Sequence, residues 1–337
     1  MNKTRIGVIG LGFIGSKHAQ IYSSSNACSL IAVCDTDEHL SEGTARELGC
    51  GAFSDYMDIL TRDSVDAVSI CLPEHMHVHA AVEAAEHGKH ILLEKPLAMS
   101  IHDCETIIEA ARKNNVKLLV GHLLRFDPKY AQAYQYVKSG AIGDIILIRA
   151  QRNGMLSAGY RSGKYGSVVF HVGVHDIDLA LWFASSKPVS VYAAKTEKVL
   201  TEVKTEDSVT SIVKFEDDSI ATIGSSWILP DSLGSGVNAN LEILGSEGYV
   251  SIDVGSERGL RLFNSNQGWE YPDLWHWPTV WNKIGGCLKA EIDHFLDCLV
   301  TDLDPIVRPE DSLNAVSLAL AMLESAKSGK TVHPKIV

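Results

Sequence analysis

Ile6-Gly7-Val8-Ile9-Gly10-Leu11-Gly12-Phe13-Ile14-Gly15 is the stretch whose reading decides the fold of this chain. A short β-branched run ends in closely spaced glycines and passes into a helix-like pattern, the layout of a strand, a tight turn and a helix N-terminus. Gly10 permits the turn, Gly12 lets a pyrophosphate approach the backbone, and Gly15 lets the new helix lie close to the strand. Free N–H groups and the positive end of the helix dipole face the same spot, so Gly10, Gly12, Phe13, Ile14 and Gly15 are the candidate phosphate contacts.

The glycine spacing is weak evidence alone, and the next segment supplies the rest of the unit. Ser29-Leu30-Ile31-Ala32-Val33-Cys34 reads as a second buried strand ending at Asp35, twenty residues after Gly15. A carboxylate there accepts both ribose hydroxyls of an adenosine and repels a 2′-phosphate. Asp37 adds negative charge, and no Arg or Lys lies between Val33 and Leu40, which favours NAD over NADP. The competing reading of the same residues is a glycine-rich structural turn followed by a capping aspartate.

With 337 residues, 45% hydrophobic and 21% charged, the chain has room for two domains and buries ample apolar surface without disulfides or metals. Its formal charge of −12 argues against nucleic acid or an anionic membrane as main partner. Cys28, Cys34, Cys50, Cys71, Cys104, Cys287 and Cys298 form no CxxC pair, and their odd total suits small buried side chains in a reducing cytoplasm. The basic-then-apolar run from Met1 to Gly15 imitates a signal peptide, but its glycines serve the turn and no small-residue cleavage site follows. No apolar run approaches the length of a membrane span.

Strands and helices alternate from the N-terminus to Val120. Helical periodicity covers Glu38 to Leu48, Val78 to Glu86 and Ile101 to Lys113, and buried strand patterns cover Ala67 to Leu72, His90 to Leu93 and Val116 to Val120. The expected fold is α/β: a doubly wound, mostly parallel sheet with its ligand at the carboxyl ends of the strands, over residues 1–122. Residues 123–337 read as an α+β domain for substrate binding and oligomerisation. It has helices at Pro128 to Lys138 and within Ser167 to Ala184, and a strand at Asp144 to Arg152. A large, mostly antiparallel open sheet spans Val189 to Val254, and helices at Lys289 to Val300 and Asp311 to Lys327 close the chain. One face of that sheet is left over after its helices are packed, which points to a homodimer or homotetramer.

Two stretches carry candidate chemistry. Lys95 follows a buried strand of the nucleotide domain, flanked by Glu94 and by Pro96, whose bond to Lys95 is a candidate cis peptide. A partly desolvated lysine there hydrogen-bonds a substrate hydroxyl and stabilises alkoxide charge, whereas a surface lysine paired with Glu94 is the bland alternative. In His171-Val172-Gly173-Val174-His175-Asp176-Ile177-Asp178, helical spacing puts His171, His175 and Asp178 on one face. A histidine held by a carboxylate is a general base for a hydroxyl proton, while a satisfied core histidine or a metal pair compete with that reading. Zinc wants further ligands at motif spacing, and none stands there, so no metal is expected. His75, His77 and His79 alternate at a helix start and point to different faces, as solvated or cofactor-contacting groups rather than a metal set. Arg125, Tyr160, Arg161 and Trp275-His276-Trp277 are candidates for lining a substrate pocket, and equally for packing or surface anchoring.

At this point the chain resembles the glucose-fructose oxidoreductase, inositol dehydrogenase and MocA family over essentially its whole length. The resemblance rests on Gly10 to Gly15, Cys71 to His77, Gly88 to Ala98, Arg125-Phe126-Asp127-Pro128, Gly140 to Gly143 and His175 to Asp178. It implies a Rossmann domain, a second open-sheet domain often used for oligomerisation, and NAD(P)-dependent oxidation of a sugar or cyclitol hydroxyl. Lys95 and His175 fall on the family's catalytic lysine and histidine. Leu72, Pro73, His77 and Glu94 fall where the family approaches the nicotinamide half of the cofactor. Many inositol-dehydrogenase-like members carry aspartate four residues before the catalytic histidine, where this chain has His171. Histidine supplies no fixed negative charge there, so base tuning and hydroxyl recognition differ and a simple myo-inositol assignment is disfavoured. Two other functions compete within the same fold: an NAD-retaining, redox-neutral glycosidase-type enzyme, and a non-catalytic NAD-dependent regulator.

Overall fold

The computed structural model describes residues 3–233, 236–254, 259–265 and 268–337, so Met1 and Asn2 of the signal-like run lie outside the described residues. The first half alternates β1 (Thr4–Ile9), α1 (Phe13–Ser24), β2 (Cys28–Cys34), α2 (Glu38–Leu48), β3 (Gly51–Phe53), α3 (Met57–Leu60), β4 (Ala67–Ile70), α4 (His77–Glu86), β5 (His90–Glu94), α5 (Ile101–Lys113) and β6 (Leu118–Gly121). The second half holds α6 (Pro128–Lys138), β7 (Ile145–Met155), α7 (Leu156–Ser162), a π turn at Val169–Gly173, and α8 (Val174–Ala184). It continues with β8 (Pro188–Thr196), β9 (Ser208–Phe215), β10 (Ile220–Leu229), β11 (Val237–Gly245) and β12 (Tyr249–Asp253). Two helices follow, α9 (Gly286–Thr301) and α10 (Pro309–Ser328).

Helix ends follow the local chemistry. Asp37 caps α2 by accepting from the Leu40 N–H at 3.2 Å, Ser100 caps α5 through the Asp103 N–H at 3.1 Å, and Asp127 caps α6 with Pro128 in its first turn. Gly49 closes α2 in the left-handed region at φ 74°.

The first sheet is wholly parallel in the order β3-β2-β1-β4-β5-β6. Reversal of strand order between β1 and β4 opens a crevice at the carboxyl ends of these strands, where open α/β sheets take their ligands. The second sheet runs β12-β11-β7-β10-β9-β8 and is antiparallel except where β10 lies parallel to β7. A parallel neighbour needs a long crossover, and the helical stretch containing α8 lies within the β7-to-β10 connection. Alternation along β9 and β10 buries Val209, Val213, Phe215, Ala221, Ile223 and Trp227 on one face.

Each of the two compact units is made from two stretches of chain: Met1–Phe126 with Trp275–Leu313, and Asp127–Leu274 with Asn314–Val337. A single division at 122/123 therefore misses the return of α9. Leu288, Ile292, Phe295 and Leu296 of α9 join Ile6, Val8, Tyr22, Leu92 and Leu119 in one buried cluster, completing the first unit's core. Fully burying a side chain of this kind stabilises by about 1.5–3 kcal/mol, which draws the distant helix back to the sheet.

Candidate active site

The phosphate turn of the first unit is built from backbone. A Cβ at Gly15 would stand 1.9 Å from the Gly10 carbonyl oxygen, so only glycine allows α1 to start this close to β1. Gly10 has φ 87°, and a Cβ there would meet the Cys71 carbonyl at 2.6 Å. A Cβ at Gly12, by contrast, would meet nothing within 4 Å among the described residues. No side chain caps the first turn of α1 and no acidic residue occupies it. Donors aimed at open space and a favourable dipole fit a pyrophosphate.

Asp35, half-buried after β2, accepts from the Leu11 N–H at 2.7 Å and from the Asp37 N–H at 3.0 Å. Those bonds hold its carboxylate beside the turn, where an adenosine ribose would lie. Two hydroxyl bonds to a carboxylate are worth about 1.5–3 kcal/mol each at most, and the carboxylate also repels a 2′-phosphate. Asp35→Ser is expected to raise the KM for NAD+ roughly tenfold or more while weakening discrimination against NADP+. Steady-state kinetics with both cofactors check this, and an unchanged preference would remove Asp35 from ribose recognition.

Phe13, 71% exposed, meets Trp277 edge-on at 5.4 Å, and the Lys17 ammonium lies 4.6 Å from the Phe13 ring centre and 5.5 Å from that of Trp277. Trp277, from the Trp275-His276-Trp277 segment, thus stands beside the phosphate turn. The folding back of residues 275–313, invisible to local pattern, places it there.

Leu72 and Pro73 follow β4, and Glu94, Lys95 and Pro96 follow or end β5, all at carboxyl ends in the same sheet. The Lys95-Pro96 bond is cis and Lys95 is half-buried. His77, at 0% exposure, turns Nδ1 to the Pro96 carbonyl at 2.8 Å and Nε2 to the Leu72 carbonyl at 2.9 Å. Burial lowers its pKa despite these two carbonyls. His77 ties the two loops together, while His75 and His79 are exposed, with His79 on the Tyr56 hydroxyl at 2.6 Å. Arg125 is also in this unit, buried with its guanidinium 3.0 Å from Asp311.

Glu94 is itself buried. Its Oε1 lies 3.3 Å from Nε2 of His18 on α1, and His18 Nδ1 lies 2.9 Å from the Ser69 hydroxyl of β4. Burial raises the Glu94 carboxyl, but His18 and then Lys95 outweigh it and hold the group below its ordinary value. Glu291, from α9, completes a buried cluster in which one donor atom from each of His18, Glu94 and Glu291 lies within 4.8 Å of the others. Neither His18 nor Glu291 carries a local sequence signal.

In the second unit, His175 is half-buried on α8 and His171 half-buried on the π turn before it, its ring 5.9 Å from that of Trp227. His171 lies within the widened turn and His175 in the first turn of α8, so ideal helical spacing does not govern their relation. Asp176 belongs elsewhere: it receives both Nε and Nη2 of Arg152 at 3.0 Å, with the Tyr130 hydroxyl 3.5 Å from Nη2. Burial pushes the Asp176 carboxyl up even against this pairing, and Asp176 keeps the Arg152 guanidinium firmly charged. Arg152 reads as an ordinary strand residue until the fold places it opposite α8. Asp178 is buried, and Tyr160 and Arg161 are exposed on α7.

Residues 4–122 match the family described as an oxidoreductase family with an NAD-binding Rossmann fold, and residues 130–251 match the C-terminal domain of the same GFO/IDH/MocA group. The chain belongs to the GFO/IDH/MocA family. It is an NAD-dependent oxidoreductase, in agreement with the turn and Asp35. The chain is 26% identical over 98% of its length, and 96% of the relative's, to scyllo-inositol 2-dehydrogenase (NAD(+)) of Bacillus subtilis. Among solved structures, scyllo-inositol dehydrogenase of Lactobacillus casei superposes with a TM-score of 0.85 at 25% identity, covering 98% of both chains. A more divergent relative, 2,7-anhydro-N-acetylneuraminate hydratase of Mediterraneibacter gnavus, is 24% identical over 73% of this chain and 66% of its own.

Proposed function

We propose that this protein is a cyclitol or sugar dehydrogenase that interconverts a secondary hydroxyl and its ketone. The near full-length relationship to an NAD-dependent scyllo-inositol 2-dehydrogenase carries the substrate class. Bound NAD supplies the hydride acceptor. His175 takes the hydroxyl proton, Lys95 steadies the developing alkoxide, and His171 contributes to hydroxyl recognition beside it. His77 keeps the Leu72 and Pro96 loops in place for the nicotinamide half, through the two carbonyls it faces. Arg125 and Tyr160 are the further candidates for substrate contact, Arg125 held by Asp311.

The experiment is NADH formation on a panel of inositols, pyranoses and sugar acids, with NADP+ in parallel. A responding cyclitol or sugar with NAD+ is the expected result. Silence across the panel despite tight NAD binding would move the protein to the redox-neutral class to which the hydratase relative belongs.

The outer face of the second sheet supports self-association. Tyr192, Ile212 and Tyr249 stand about half exposed on it. Between them a shallow cavity of about 470 Å³ is lined by Arg149, Gln151, Thr210, Thr222 and Asn240 among others. This mixed face suits a second copy of the chain, in a homodimer or homotetramer. Light scattering on the purified protein tests it, and a monomer at micromolar concentration would overturn it. No helix among the described residues is long and apolar enough to cross a membrane.

A further inference from the structure

Glu291 sits at 0% exposure on the core-facing side of α9, among Leu288, Ile292 and Phe295. Among the described residues neither of its carboxyl oxygens has a hydrogen-bond partner, and an unsatisfied buried charge of that kind is costly. One of them lies within 4.8 Å of a Glu94 carboxylate oxygen. A Cβ built at Gly121 of β6, the residue paired with Glu94 across β5 and β6, would stand 3.3 Å from Glu94 Oε1 and 3.5 Å from Glu291 Oε1. Glycine at 121 thus leaves the space in which the two carboxyl groups meet. With His18 beside them, two acids and one imidazole share a chamber closed to water. One proton on the acid pair leaves it with a single negative charge, whereas two ionised carboxylates would put two like charges side by side out of water.

We propose that Glu291 is a neutral, proton-bearing acid that donates to the Glu94 carboxylate and so positions the Glu94–Lys95 turn. Burial and then the neighbouring Glu94 charge both favour the proton on Glu291. Groups facing the pair are His18 and Tyr22 from α1, Cys71 after β4, Lys95 after β5 and His77 from α4. Only the kinetic part of the test below rests on the dehydrogenase reading.

Thermal melts of wild type and Glu291→Gln across pH 5 to 8 test the proton directly. A carboxyl whose folded pKa exceeds its unfolded value contributes stability below the unfolded pKa and loses it as pH rises toward the folded one. Wild type is therefore expected to lose roughly 3 °C per pH unit relative to Glu291→Gln over this window. Parallel curves would overturn the proposal. So would a wild type gaining relative stability with pH together with stoichiometric metal in the purified protein, since metal ligation demands the ionised carboxylate.

In kinetics, Glu291→Leu leaves Glu94 without its donor and is expected to lower kcat/KM about tenfold, and Glu291→Gln, which keeps an N–H donor, is expected to restore it. A Leu variant with the wild-type kcat/KM, or a Gln variant as slow as the Leu variant, would reduce Glu291 to packing and overturn the positioning role. Failure to find any turned-over substrate would instead count against the dehydrogenase reading, and the melts would still decide the proton.

Discussion

Replacing His175 with Asn is expected to lower kcat by about 10²–10⁴-fold, the loss that follows if His175 is the general base we propose. NAD+ binding is retained, because the phosphate turn, Asp35 and the Leu72 and Pro96 loops all lie in the first unit, whereas His175 is on α8 of the second. Asn keeps the size and a hydrogen-bonding group without the ability to accept and hold a proton near neutral pH. Rapid-mixing kinetics with cofactor titration separate the two quantities. Unchanged turnover would remove His175 from proton transfer, and a parallel loss of cofactor affinity would show that the substitution acts through folding instead.

Arg152→Ala destabilises the second unit by about 3–5 kcal/mol, because it strands Asp176 as a buried charge without its counterion. The pair is bidentate, with Arg152 5% and Asp176 1% exposed, so water cannot replace the guanidinium. The loss depends on pH in a defined direction. Without Arg152 the Asp176 carboxyl rises further above its unfolded value, so the variant recovers stability as pH falls and loses it as pH rises through that raised pKa. Urea unfolding at several pH values measures this. Arg152→Met combined with Asp176→Leu is expected to regain most of the loss, since the desolvation cost goes with the charges. A single variant as stable as wild type would show that Asp176 finds another partner.

The sequence by itself determined the features that depend on neighbours in the chain. Glycine spacing from Gly10 to Gly15 dictates the turn, because a Cβ at Gly15 or Gly10 collides with backbone only a few residues or one strand away. Asp35 follows from its place at the end of β2, and the parallel sheet follows from unbroken apolar strands alternating with amphipathic helices. Motif context makes Lys95 and His175 the proposed reacting pair, although the same local residues also read as an ion pair or a core histidine.

Tertiary structure decided everything that required distant segments to meet. The return of α9 to the first sheet is a matter of its apolar face finding Ile6, Tyr22 and Leu92, and no local pattern says which core a helix will complete. That return brings Glu291 to Glu94 and His18, and Trp277 to Phe13. Packing within the second unit likewise fixes the partner of Asp176: in sequence Asp176 sits among histidines, yet the β7-α8 packing gives it Arg152, twenty-four residues away. Burial is the common cause, since charges removed from water must find one another across the fold, and which of them are removed is settled only when the elements pack.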